Sequence, residues 1–233
     1  MFRQDSARKI QRSDSFLVGA MLTLAGGFLD AYSYITRGGV FANAQTGNMV
    51  LLGLRLSEHR WSDALAYLIP ILAFASGVLL AEWMKSVFQH KGLLHWRQIV
   101  LAVECCLLLT IGFIPSGVWN ASVNIAISFV CALQVESFRT MHGLSYATTM
   151  CTGNLRSGTE LLFHAIQQKD SVSFAGAMKY FSIILIFIVG AVLGFIAAAI
   201  LGIHSVWIPL AILLLVFLLL SHNPAGDQSQ TTE

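Results

Sequence analysis

The amino-acid sequence predicts an all-α membrane protein of six transmembrane helices, arranged as two inverted three-helix repeats. Three observations lead there. The 233 residues are 56% hydrophobic and only 11% charged, with a mean hydropathy of +0.70, whereas soluble domains carry about 25% charged residues. Six apolar runs approach the ~20 residues needed to cross a hydrocarbon core: 15–36, 64–84, 98–118, 119–140, 178–202 and 205–220. A Thr-Gly-Asn triplet occurs twice, at Thr46-Gly47-Asn48 and Thr152-Gly153-Asn154, 106 residues apart.

The first run follows a polar, basic tail (1–13) without a small-residue cleavage site, so it reads as a retained span and not a signal peptide. With that tail in the cytoplasm, six crossings place Arg3, Arg8, Lys9, Arg12, Lys85, Lys91, Arg97, Arg156 and Lys169 inside, with Arg139 and Lys179 near the same edge. Only Arg37, Arg55 and Arg60 fall outside, as the positive-inside rule requires. Counting the triplet segments as two further spans would move the 85–97 loop outside and weaken the bias. Both termini, including the polar tail 221–233, are therefore expected on the cytoplasmic side.

Each triplet segment reads as a short half-helix. From Thr46 to Leu56 is about 16 Å of helix at 1.5 Å per residue, half the hydrocarbon thickness. Thr46 is expected to cap the first and Thr152 the second. Irregular backbone at membrane depth must face protein or a water-filled cavity. In the second segment, Arg156 and Glu160 stand four apart, a spacing that supports a helix through an ion pair. An ordinary interfacial helix is the plainer reading, above all for this second copy.

The repeat extends beyond the triplets. At a separation of 106, Asp30 aligns with Glu136 and Tyr32 with Phe138; at 113, Trp61 aligns with Phe174, Tyr67 with Tyr180, Phe74 with Phe187 and Gly77 with Gly190. An insertion around Gln167–Ser173 explains the difference between the two separations. The units are 14–118 and 119–220, each a span, a triplet segment and two more spans. An odd number of crossings makes the second unit enter from the opposite side, the architecture in which transporters hold substrate at the midplane with broken helices.

The stretches "GGFLDAYSYITRGGVFANAQTGNMVLLG" and "ALQVESFRTMHGLSYATTMCTGNLRSGTELL" resemble the two signature regions of the YoaK-like family, uncharacterised bacterial multi-pass inner-membrane proteins. The resemblance covers about 14–220. It implies a location in the bacterial plasma membrane and supplies neither substrate nor catalytic residues.

Ionisable residues inside spans are functional candidates by default, because a charge at the bilayer centre costs about 2.5–3.5 kcal/mol even on the insertion scale. Asp30 reads as a coupling or substrate-orienting carboxylate, unless the hydroxyls of Tyr32 and Tyr34 support it near the outer interface. Glu136 is its repeat mate, with Arg139 placed to pair with it. Glu104 has no repeat equivalent and is expected to lie against a hydroxyl or a neighbouring helix. Asn43, Gln45, Asn48, Gln134, Thr148, Thr149 and Asn154 gather near the half-helix starts, whose positive ends suit an anionic ligand; the alternative is that they bond one another between helices. The small residues Ala25–Gly27, Ala75–Gly77, Gly190, Gly194 and Ala197–Ala199 suit close helix packing.

Cys105, Cys106, Cys131 and Cys151 lack metal-ligand or disulfide spacing, so no metal or cofactor is expected. Scattered histidines and the lack of any nucleophile or phosphate-loop motif argue against an enzyme. A net charge of +2 without a basic stripe argues against nucleic acid. The expected partners are the bilayer and a small solute; homo-oligomerisation is compatible with the chain. The functional expectation is a secondary transporter, proton-coupled, for a small anionic solute, in which Asp30 and Glu136 titrate during the cycle while Thr46-Gly47-Asn48 and Thr152-Gly153-Asn154 shape the binding site. A non-transporting interaction or assembly protein and a passive channel are the competing expectations.

Overall fold

Ser15 opens the first helix: its hydroxyl accepts the Val18 amide at 3.3 Å, satisfying one of the first-turn N–H groups that no helix can pair internally. The computed structural model describes residues 12–89 and 95–221. Arg3, Arg8, Lys9, Lys91 and the tail beyond Ser221 lie outside the described residues. Eight α-helices appear among the described residues: α1 (Phe16–Thr36), α2 (Gln45–Ser57), α3 (Trp61–Phe88), α4 (Trp96–Ile111), α5 (Asn120–Ser137), α6 (Cys151–Gln168), α7 (Ser171–Leu201) and α8 (Trp207–Ser221). A two-stranded hairpin, β1 (Thr140–Met141) with β2 (Leu144–Ser145), joins α5 to α6.

Local chemistry explains the boundaries. The chain leaves α1 through Gly38 and Gly39, whose φ values of 92° and 74° exclude most side chains. His95 and Gln98 form a reciprocal capping box at the start of α4. Asp170 accepts the amides of Val172 and Ser173, both at 3.0 Å, to start α7. The run expected to cross at 98–118 ends earlier, at Ile111, because Pro115 and the left-handed Gly117 follow.

Among the described residues, three helical segments are long and apolar enough to cross a membrane: Phe16–Thr36, Trp61–Phe88 and the continuous Ser171–Ser221. The last reverses in a 3₁₀ stretch, Gly202–Val206. The short α4 and the polar face of α5, with Asn124, Ser128 and Gln134 buried, keep those two helices out of this group. The seven extra residues expected near 167–173 extend a helix instead of a loop: α6 has 18 residues against 13 in α2, and only Lys169 and Asp170 separate it from α7.

α1 packs on α7 and α3 on α5; α2 lies on α3 and α6 on α7; α4 touches α5 and α8, and α8 touches α1. Glycines allow the closest crossings. A Cβ on Gly27 would strike the Phe187 carbonyl, and one on Gly190 would strike that of Leu24. Gly194 faces the Phe28 carbonyl, and Gly77 meets Phe129 and Ala132 across α3–α5. The apolar core joins α1, α4, α5 and α8 through Leu22, Phe28, Leu101, Leu108, Ile127 and Leu213.

Polar clusters fasten the two ends of the bundle. At one end Arg97, from the start of α4, donates to Ser13 Oγ and the Ser137 carbonyl, both at 2.8 Å, while Gln98 reaches Ser221 Oγ at 2.9 Å. At the other end lies Arg37, expected in an outer loop but only 1% exposed. Its guanidinium donates to the Tyr32 hydroxyl (2.7 and 3.1 Å) and to the carbonyls of Ile111, Ile114 and Pro115 (2.9–3.2 Å). Tyr32 in turn donates to the Ile203 carbonyl, and Asn124 donates to that of Arg37. A cation is thus buried on the carbonyl end of α4, where the helix dipole favours it.

Arg37→Met should lower stability by about 3 kcal/mol or more, because three backbone carbonyls and a phenol lose a charged donor together. Gly27→Ala should cost about 1–3 kcal/mol through overpacking, whereas Gly47→Ala, with open space around it, should stay within about 0.5 kcal/mol. Unfolding of the purified variants in one detergent checks all three.

Candidate functional site

Two connecting loops converge on one point of α1. Beyond Gly39 the chain runs back along the helix it has just left, held by three bonds. The Ala42 amide donates to Ser33 Oγ at 3.2 Å, the Asn43 amide to Asp30 Oδ1 at 3.2 Å, and Asn43 Nδ2 to the Gly26 carbonyl at 3.4 Å. Gly26 is the midpoint of α1. There α2 begins, with Ala44 at its cap position and no side-chain cap. Gln45 donates to Ser128 Oγ of α5 and accepts from Asn48 Nδ2 at 3.0 Å, and Ser128 donates to the carbonyl of Pro70 in α3 at 3.0 Å.

The second loop arrives from the hairpin. Asn154 grips it at both backbone atoms of Ala147, accepting the amide at 3.2 Å and donating to the carbonyl at 2.7 Å. Thr148 Oγ1 accepts from Gln134 Nε2 at 2.9 Å, and the same nitrogen donates to the Leu22 carbonyl of α1 at 3.2 Å. The Thr149 hydroxyl lies 3.2 Å from Cys131 Sγ, and its methyl would be 2.6 Å from a Cβ on Gly26. α6 then starts at Cys151, again with no side-chain cap, and Cys151 lies within electrostatic reach of Asp30.

Two helix N-termini, each without a side-chain cap and with the partial positive charge of a helix start, therefore begin beside the Gly26–Asp30 stretch. Asp30 is buried, and Asn43 Oδ1 and Thr23 Oγ1 nearby along the chain are buried without a hydrogen-bond partner among the described residues. Such a place can hold a small anion against amide dipoles and a proton on a carboxyl group.

Asp30, Asn43, Gln45, Gln134, Thr148 and Thr149 are brought together in this region. Asn48 and Asn154 are buried but act on the chain itself, fixing Gln45 and Ala147. Thr46, Gly47, Thr152 and Gly153 are exposed on the outer faces of their helices. Neither threonine is a cap, because each helix begins one residue earlier and turns the threonine outward. Glu136 does not join Asp30: it pairs with Arg139 at 2.9 Å near Glu82 and Lys85 at the end of the bundle. Arg156 and Glu160 form no ion pair among the described residues; both are exposed, where such a pair contributes little. Nor do Tyr32 and Tyr34 support Asp30, since the Tyr32 hydroxyl is committed to Arg37 and Ile203 and the Tyr34 ring stacks on Phe41. Sequence reasoning missed Ser128 and Cys131 as members of the network and took Gly26 only for packing. The alignment of Gly26 with Ala132 at separation 106 was the available signal for Gly26.

A model of a family described as a protein of unknown function, DUF1275, matches residues 18–219. The chain belongs to the DUF1275 family. It is 23% identical over 222 residues to the UPF0700 transmembrane protein YoaK of Bacillus subtilis (strain 168), an alignment covering 90% of this chain and 95% of that protein. No solved structure matches. This DUF1275 member is accordingly a transmembrane protein, and its partner in the first instance is the lipid bilayer.

Asn154→Ala should lower stability by about 1–3 kcal/mol, the cost of stranding a buried amide and carbonyl, while Thr152→Val should stay within about 0.5 kcal/mol. Thermal unfolding in detergent, with protease sensitivity of the Tyr146–Met150 loop as a local readout, checks the contrast.

Proposed function

We propose that this protein is a proton-coupled secondary transporter of a small anionic solute, with six crossings in two inverted three-span repeats and α2 and α6 as re-entrant half-helices. The convergence of two uncapped helix N-termini beside Asp30 carries the reading. The packing supports the repeat: exchanging α1–α4 for α5–α8 turns α1–α7 into α3–α5, α2–α3 into α6–α7 and α4–α5 into α1–α8, and leaves α4–α8 unchanged. Gly77 and Gly190, aligned in the sequence, occupy equivalent crossings. The end clusters support six crossings, because Arg97 gathers the start of α1 and α4 with the end of α5, and Arg37 gathers the opposite ends.

The chemistry suggests the coupling. An anion held by amide dipoles is repelled by an ionised Asp30 and not by a protonated one. Proton binding at Asp30 thus favours solute binding, and the two move together. Because both sites lie at the midpoint of α1, small shifts of the two halves about the α1–α7 and α3–α5 crossings would expose them to either face in turn. The cell membrane of a bacterium, with both termini in the cytoplasm, is the location this reading requires.

One observation favours the competing assembly-protein reading. Gln45, Asn48, Gln134 and Asn154 all donate to partners within the chain, which suffices to hold helices together. Thermal-shift measurements with a panel of carboxylates and inorganic anions separate the two. A solute at 100 times its Kd should stabilise the protein by about 2.7 kcal/mol, more strongly at acid than at alkaline pH. In proteoliposomes, Asp30→Asn should remove accumulation driven by a proton gradient while leaving the fold intact. Absence of any stabilising anion, with no flux in vesicles, would move the reading to an assembly role.

A further inference from the structure

The most secluded acid among the described residues stands apart from both half-helices. Glu104 lies within α4, fully buried, between Leu101 and Leu108 on the face that enters the core. Neither carboxyl oxygen has a hydrogen-bond partner among the described residues, so the hydroxyl expected to support it is absent. An isolated ionised carboxylate is too costly in such surroundings, and the group must be a neutral acid in this conformation. Even so, an apolar residue would fit more cheaply, since burying polar atoms without partners is unfavourable.

Glu104 also has a placement in common with Asp30. Leu101, Cys105 and Leu108, which surround Glu104 on α4, share one core cluster with Leu29, which adjoins Asp30 on α1, and Cys131 of α5 touches Thr149 of the second loop. Of the elements packed on α4, α5 contributes Cys131 and the 3₁₀ stretch contributes His204, which is bonded to the Gly112 carbonyl. α8 has no acidic, basic or cysteine residue between 207 and 221. α3 carries its charges, Asp63, Glu82 and Lys85, near its ends. On α4 itself Cys105 and Cys106 adjoin Glu104. Among the described residues no cation pairs with the carboxyl group, so protonation is what neutralises it.

We propose that Glu104 is a second proton-carrying carboxyl group, bordering the same core as Asp30, and that the coupling pair is Asp30 with Glu104 and not Asp30 with Glu136. The inference rests on the transport reading for its role and on burial for its existence. One proton adds to a carboxylate oxygen to give the buried acid; its release to water requires a conformation in which the α4 face opens. No electron moves.

The test uses the full chain in lipid vesicles. Dicyclohexylcarbodiimide, an apolar reagent that attacks protonated carboxyl groups, should modify Glu104, located by peptide mass spectrometry. Infrared difference spectra between acid and alkaline pH should show a protonated-carboxyl band that Glu104→Gln deletes, Glu104→Asp retains and Glu136→Gln leaves unchanged. Glu104→Met should raise the thermal midpoint, because the residue is held at a cost to stability; a supporting structural role predicts a fall. An unmodified Glu104 together with no band deleted by Glu104→Gln, or a lowered midpoint in Glu104→Met, overturns the proposal. A titrating Glu104 in a protein that moves no solute supports this inference and counts against transport alone.

Discussion

The fold depends on the freedom of one helix from side chains at its middle. Between Leu24 and Phe28, α1 presents bare backbone on two sides. Gly27 and the carbonyls of Leu24 and Phe28 let α7 come to contact distance through Gly190 and Gly194, and Gly26 admits Thr149 and accepts the Asn43 amide. In a bilayer, where apolar surface gains little by leaving lipid, such close contact and its hydrogen bonds are the main source of helix association. α1 is accordingly the buried centre: 67% of its membrane-length window is covered, against 22% in α3 and 28% in the α7–α8 run. The first connecting loop bonds to it directly, and the second reaches it through Gln134 of α5.

The ends of the bundle follow a second constraint, the supply of partners for backbone groups that helices leave unpaired. Arg37 has no carboxylate, yet its five donors meet oxygens from α1 and from the end of α4. A planar, always charged fork is suited to that task in a way a lysine is not. The positive end of a helix receives the opposite treatment at α2 and α6, where no side chain caps the amides. Side-chain caps are present at α1, α4 and α7 and missing at α3 and α5 as well as at α2 and α6; what distinguishes α2 and α6 is that their uncapped starts lie beside the α1 stretch that carries the buried acid.

The three acids placed in spans by the sequence thus divide by environment. Glu136 is an interfacial ion-pair partner, Asp30 is tied to a loop amide, and Glu104 is alone in an apolar core. Sequence symmetry joined Asp30 to Glu136, but similarity of backbone arrangement does not oblige aligned side chains to keep equivalent depth. Glu136 is in the last turn of α5, whereas Asp30 has further turns of helix beyond it.

By itself the sequence determined the helical membrane class, the positions of the helices, the doubled triplet and the convergence region of Asp30, Asn43 and Gln134, because hydropathy and punctuation are local properties that a bilayer enforces. Packing alone decided which residue of each triplet turns inward. Rotation about a helix axis depends on the neighbouring helix, so Asn48 and Asn154 are buried while their threonines and glycines are not. The same reason hid the role of Arg37: a cation near a span end reads as a loop residue until the end of α4, 74 residues away in sequence, brings carbonyls to it. Glu104 was visible as an acid in an apolar run, but its lack of any partner is a property of the surrounding helices, which only the tertiary structure supplies.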